Sequence, residues 1–149
     1  MTIKNDQQLK AALNDLTRDQ QRVLGARFTQ SVITLTDNAR LVSALKVALE
    51  PESDVQALND AYKIAKSIAT KTYTACGRDA DWELQAEHFV AAACAAALTP
   101  AALAPETFNA AWKAAIQARM AKNCIMIESE TGDLENEAEK QYQLVDDFK

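Results

Sequence analysis

The stretch AEHFVAAACAAALTPAALAPETFNAAWKAAIQARM, residues 86–120, holds two alanine-rich helical segments separated by a proline-containing turn. Thr99 and Pro100 end the first segment, because proline lacks a backbone N–H and clashes with the preceding helical turn. A helix over about 81–98 is apolar on two opposite sides, which indicates neighbours on both. One side carries Trp82, Ala86, Phe89, Val90, Ala93 and Ala97, and the other carries Leu84, Ala91, Ala95 and Leu98. We predict a central helix in which alanine permits close approach of other helices.

Apolar residues recur with helical spacing in the rest of the chain as well, and no alternating run indicates a strand. Capping boxes predict helix starts at Thr17 with Gln20 and at Ser53 with Gln56, and helix ends are predicted before Pro51 and at Gly77. Further helices are predicted over about 6–15, 105–128 and 133–149, with a short turn over 101–106. Because short connections make neighbouring helices antiparallel, we predict an all-α, single-domain antiparallel bundle of about six to seven helices over 1–149, with a central alanine-rich helix pair.

The composition is that of one globular domain: 149 residues, of which 48% are hydrophobic and 25% charged. The three cysteines, Cys76, Cys94 and Cys124, are odd in number and form no CxxC pair, which indicates free thiols in a reducing cytoplasm. The N-terminal residues turn polar at once, and no apolar run reaches the roughly 18 residues that a membrane span needs. We therefore expect a soluble, cytoplasmic protein without a membrane partner.

The net charge of −5 is concentrated at the C-terminal end of the chain. Residues 128–149 hold eight acidic and two basic side chains, a net charge of −6, and the remainder is close to neutral. This distribution argues against a nucleic-acid partner, because phosphate binding depends on clustered lysine and arginine. The acidic helix is expected to dock on the bundle and to serve either as a solubilising face or as a surface for a basic protein partner. The candidate partner-binding residues are Glu135, Glu137, Glu139, Asp146 and Asp147.

Residues that could carry chemistry are few, and no catalytic, nucleotide-binding or metal-binding motif occurs. The only histidine, His88, has Leu84, Gln85, Ala91 and Ala92 at the helical positions where a second metal ligand would lie. No metal and no cofactor is therefore predicted, and the thiols are expected to be buried and unreactive.

Arg119 lies on the inward side of the predicted sixth helix, where an aliphatic residue would be expected. Its guanidinium is predicted to pair with a carboxylate such as Glu83 or Glu87, to stack on Trp112, or to bind a ligand. Arg119, His88 and Trp112 together are the candidates for an internal polar site.

Four segments carry a family resemblance: TDNARLVSAL (36–45), NDAYKIAKSIA (59–69), AEHFVAAACAAAL (86–98) and EAEKQYQLV (137–145). Together they resemble the all-α immunity proteins of bacterial toxin systems. The resemblance implies a cytoplasmic protein that is not an enzyme and that binds and neutralises a toxin.

The leading prediction is thus a non-enzymatic protein-binding protein. Two alternatives remain open: a small-ligand-binding or enzymatic bundle centred on Arg119 and His88, and a self-associating subunit in which another copy covers the second apolar side of the alanine-rich helix.

Overall fold

Seven α-helices and two 3₁₀ turns form the secondary structure of the described residues. The computed structural model describes residues 2–79, 82–105, 107–129 and 137–148, without the side chains of 73–79, 82–83 and 125–129. The helices are α1 (Asp6–Asn14), α2 (Arg18–Gln30), α3 (Ala39–Leu49), α4 (Val55–Asp79), α5 (Trp82–Leu98), α6 (Ala110–Ser129) and α7 (Glu137–Phe148). The 3₁₀ turns are Ile33–Leu35 and Ala101–Leu103. The all-α prediction is confirmed.

Local capping determines several helix starts as the sequence predicted. Thr17 accepts a hydrogen bond from the backbone N–H of Gln20, whose side chain accepts one from the N–H of Thr17, so both halves of the capping box are present. Asn38 caps α3 in the same way, by accepting from the backbone N–H groups of Arg40 and Leu41. These contacts lie within four residues of one another, which is why the sequence alone reveals them.

Three predicted helix boundaries are wrong. Asp54, not Ser53, caps α4 by accepting from the N–H of Ala57 at 2.7 Å, and the Ser53 hydroxyl donates instead to the last turn of α3. Gly77 does not end α4, because the helix continues to Asp79. Helix α6 begins at Ala110, five residues after the predicted start near 105, because Asn109 accepts from the N–H of Trp112 at 3.0 Å and so provides the N-cap.

Helix α5 occupies the centre of the bundle, as its two apolar sides predicted. It contacts α2, α3, α4 and α6. Ala86, Val90, Ala93 and Ala97 of the first side are buried. The second side is covered by the same chain, since Ala91, Ala95 and Leu98 belong to a core cluster shared with α3, α4 and α6. Burial of this side therefore requires no second copy of the protein.

Helix α2 packs closely against α5 and α6 at Gly25. A Cβ atom added at Gly25 of α2 would lie 3.2 Å from the Cβ atoms of both Ala97 and Ala114 and 3.4 Å from the carbonyl oxygen of Ala110. The lack of a side chain at Gly25 and the small alanine side chains facing it allow the three helices to pack this tightly. Alanine in the central stretch thus serves packing, and one of its partners is a glycine that lies more than 70 residues earlier.

A second core cluster includes Ala111 and Ala115 in the first turns of α6. It joins the N-terminal segment and α1 to α2, α6 and α7. Its fully buried members are Leu9, Leu13, Leu24, Phe28, Ala111, Ala115 and Val145, of which Val145 is 1% exposed and the others 0%. Helix α7 thus packs on α1, α2 and α6 through Val145 and its apolar neighbours. The predicted start of this helix near 133 lies outside the described residues.

Candidate functional site

Arg119 joins three helices through its guanidinium group. Nη1 and Nη2 donate to the two carboxylate oxygens of Asp6 on α1 at 2.9 and 2.8 Å, and Nε donates to the side-chain oxygen of Gln141 on α7 at 2.8 Å. Gln141 is fully buried, and its amide nitrogen donates to the carbonyl oxygen of Ala115 on α6 at 2.9 Å. The guanidinium thus satisfies both a carboxylate and a buried amide, a geometry that lysine cannot reproduce.

The predicted partners of Arg119 are partly wrong. The carboxylate is Asp6 and not Glu87, which instead accepts a hydrogen bond from Thr36 at 2.6 Å; the side chain of Glu83 lies outside the described residues. The predicted proximity to Trp112 is confirmed, because the guanidinium carbon lies 5.6 Å from the centre of the ring. The nitrogen of Lys10 also lies over this ring, at 4.6 Å, which is a cation–π distance.

The electrostatics of this network favour the ionised pair. The hydrogen bond from Arg119 is the main reason that the pKa of Asp6 lies below its ordinary value, and the same bond raises the pKa of Arg119. Tyr142 donates to Asp6 at 2.8 Å, and its pKa is raised, first by burial and then by this hydrogen bond. Asp6 and the two α7 residues were not predicted, because they lie on other helices than Arg119, at separations of 113 residues for Asp6 and 22 residues for Gln141, and no local pattern connects such positions.

His88 is not part of this network, so the predicted internal site of Arg119, His88 and Trp112 does not exist as a unit. Arg119 and Trp112 lie between α1, α6 and α7, whereas His88 lies between α4 and α5. Its Nδ1 is 2.8 Å from the carbonyl oxygen of Ala69, so this nitrogen carries the proton and donates it. The same nitrogen is 3.2 Å from the Thr72 hydroxyl. His88 therefore joins α5 to α4 through a hydrogen bond to the backbone, which is a structural role.

His88 also lines a surface groove with a volume of about 410 Å³, bounded by α4, α5, the loop before α6, and α6 itself. Neither Arg119 nor Trp112 belongs to its lining. Arg119 and His88 therefore do not line one common pocket. A ligand in this groove would contact His88 without Arg119.

Cys94 is buried in the α5 core and is a free thiol. Burial raises the pKa of its thiol to about 12, so thiolate is scarce at neutral pH. A nucleophilic role requires both thiolate and access, and Cys94 has neither. Cys124 is likewise buried.

We expect Cys94 to react with a thiol reagent at least about a hundredfold more slowly in the native protein than in the unfolded chain. The measurement is the rate of labelling by 5,5′-dithiobis(2-nitrobenzoate) in a Cys76→Ser/Cys124→Ala variant, in buffer and in concentrated urea. Comparable rates in the two solvents would show that the thiol is accessible, contrary to its burial in α5.

The predicted partner-binding residues differ in their exposure. Glu137 is buried at 5% exposure and accepts a hydrogen bond from the Ser31 hydroxyl at 2.5 Å, so the expectation that it faces outward is wrong. Asp146 is half-buried and accepts from the backbone N–H of Ile3 at 3.3 Å, which attaches the N-terminal segment to α7. Both carboxylates hold the fold together. Glu135 lies outside the described residues.

Glu139 and Asp147 remain exposed. With Gln143 they occupy positions i, i+4 and i+8 of α7 and so lie on one line along the helix. Gln143 donates to Asp147 at 2.9 Å, which orders the end of this line. The acidic surface of the described part of α7 is therefore narrower than the sequence indicated.

None of the described helices combines the length and the apolar character that a membrane span needs. The residues that the structure describes contain no group of three or more histidine, cysteine, aspartate or glutamate side chains arranged to hold a metal ion.

Comparison of the chain with models of protein families, with curated protein sequences and with solved structures gives no match.

Proposed function

We propose that this chain is a non-enzymatic protein-binding protein that uses the exposed acidic line of α7, Glu139 and Asp147 with Gln143 between them, to dock on a basic protein surface. The observation that carries the proposal is this line of charge on a helix that is fixed to the bundle. A rigid charged surface speeds association with a partner of opposite charge and selects against partners of like charge.

The polar groups that could otherwise carry chemistry support the proposal, because they are hydrogen-bonded to one another or enclosed in the core. Arg119, Asp6 and Gln141 bind one another, Glu87 is bound by Thr36, and the Cys94 thiol is buried. These groups are occupied in holding helices together. A protein whose buried polar groups are used in this way acts most simply through its surface.

The family resemblance supports a particular form of this function, in which the protein binds a toxin in the cytoplasm and neutralises it. A toxin that acts on nucleic acid carries a basic surface, because its substrate is a polyanion. An acidic helix on a small helical protein complements such a surface. The odd number of cysteines agrees with action in a reducing compartment.

Reversing the two exposed charges is expected to abolish capture of the partner. In Glu139→Lys/Asp147→Lys, attraction becomes repulsion, and affinity for a basic partner should fall by about tenfold or more at low salt. The measurement is capture by the immobilised protein from the lysate of its source organism. Each retained protein is then identified, purified and titrated at two salt concentrations.

Asp37→Lys/Glu52→Lys is the matched control, because it changes the net charge by the same amount at exposed positions outside α7. A partner retained by the wild type and by this control but lost by the α7 variant supports the proposal. If every captured protein binds the two variants equally, α7 is not the docking surface. Growth rescue by co-expression with a toxin gene that neighbours this gene tests the immunity function separately.

A further inference from the structure

Three alanines form the apolar floor of the groove between α4, α5 and α6: Ala69 of α4 and Ala92 and Ala95 of α5. Since each of these side chains ends at Cβ, this part of the lining carries no long side chain and leaves room for a planar ligand body. The volume of about 410 Å³ lies within the range of pockets that bind small organic molecules.

The charge of the groove is opposite in sign to that of the whole protein. Lys66 of α4 and Lys113 of α6 line it together with His88, and its lining contains no aspartate or glutamate. Both lysines are exposed, and neither makes an ion pair with any of the described residues. In a chain with a net charge of −5, this groove is a local site of positive potential.

Aromatic side chains add a further recognition element. Tyr62 of α4 and Phe108 of the loop before α6 also line the groove, and both are partly buried. Aromatic rings favour contact with another ring, through stacking or edge-to-face geometry. The lining thus combines an apolar alanine floor, two aromatic rings and two exposed ammonium groups.

We propose that this groove is a binding site for a small aromatic anion, in which the ring lies on the alanine floor and the anionic group is bound by Lys66 and Lys113. The shared chemistry is an aromatic body that carries a carboxylate, sulfonate or phosphate. The site is independent of the proposed docking function of α7.

The test uses two fluorescent probes that differ in charge. 8-Anilino-1-naphthalenesulfonate is an aromatic anion, and N-phenyl-1-naphthylamine has the same rings without the sulfonate. In Lys66→Gln/Lys113→Gln, we expect the Kd of the anionic probe to rise about fivefold to tenfold, in keeping with the loss of two exposed ion pairs. The Kd of the neutral probe should change less than about twofold, because the apolar floor is intact.

The control variant is Lys4→Gln/Lys46→Gln, which removes the same charge at exposed lysines outside the groove and outside α4. It should leave the Kd of both probes within about twofold of wild type, because neither side chain lines the groove and exposed charges are screened by salt. We expect both variants to keep the wild-type fold, because none of the four lysines is buried. Their unfolding midpoints, compared with that of the wild type, check this.

Displacement of the anionic probe then distinguishes the sources of the anion. Phenylacetate represents carboxylates, phenyl phosphate represents phosphate esters, and 2-phenylethanol is the neutral control. Displacement by one or both anions and not by the alcohol supports the proposal and identifies the preferred group.

Three results overturn the proposal. The first is the absence of binding of the anionic probe to the wild type at millimolar concentration. The second is an equal loss of binding in the groove variant and in the control variant. The third is displacement by 2-phenylethanol as effective as that by the anions.

Discussion

Gly25→Leu is expected to destabilise the protein by at least about 3 kcal/mol, because overpacking a close helix contact forces the helices apart. A Cβ atom alone at this position would lie 3.2 Å from the Cβ atoms of Ala97 and Ala114. Leucine adds three more carbon atoms in the same direction. The neighbours of the Cβ atom itself are alanine Cβ atoms and a backbone carbonyl oxygen, none of which can rotate away to make room. Helix α2 must therefore shift relative to α5 and α6.

Two comparison variants isolate the packing effect, with urea unfolding followed by far-ultraviolet circular dichroism as the measurement. Gly25→Ala should lie within about 1 kcal/mol of wild type, because the gain in helix propensity offsets the tight contact. Ser67→Leu places the same side chain at an exposed site within α4 and should have little effect. If Gly25→Leu is as stable as Ser67→Leu, α2 does not approach α5 and α6 this closely.

Arg119→Met is expected to destabilise the protein by about 2–4 kcal/mol, because it removes a charged partner from both a carboxylate and a fully buried amide. Gln141 would lose the donor to its side-chain oxygen in a site with no exposure to water. Asp6 would lose both of its guanidinium contacts, although about half of this side chain is exposed and can be hydrated. The larger part of the loss therefore comes from Gln141.

The control for this substitution is Arg40→Met, at an exposed arginine on α3, and it should change the stability by less than about 0.5 kcal/mol. Arg119→Lys keeps the charge but cannot donate to Asp6 and Gln141 in the same geometry, so it should lie between wild type and Arg119→Met. The free energy of unfolding in urea measures each variant. An Arg119→Met protein that is as stable as Arg40→Met would exclude a structural role for the guanidinium.

The same ion pair predicts an acid dependence of stability. Because the pKa of Asp6 is lower in the folded state, its stabilisation is fully present above the unfolded-state value of about 3.9 and is lost as the pH falls through the folded value. The difference in unfolding free energy between wild type and Asp6→Asn should therefore be constant near neutral pH and narrow below about pH 4. A difference that does not change between pH 7 and pH 3 would contradict this assignment.

The acidic surface illustrates a limit of charge patterning along a sequence. Residues 128–149 were expected to present a continuous acidic face, yet Glu137 is buried against Ser31 and Asp146 binds the N–H of Ile3. Both partners lie more than 100 residues away in sequence. A count of charges reports the composition of a segment, whereas the direction of each carboxylate depends on where the helix docks.

Local patterns in the sequence predict the all-α fold, the capping box at Thr17 and the central place of α5. These features depend on apolar spacing within one helix and on hydrogen bonds between residues a few positions apart. In contrast, the packing of the helices determines that Arg119 binds Asp6, that Gly25 meets Ala97 and Ala114, and that His88 lies apart from Arg119. Such contacts depend on the relative positions and rotations of whole helices. Many weak packing interactions contribute to these together, and no single local pattern encodes them.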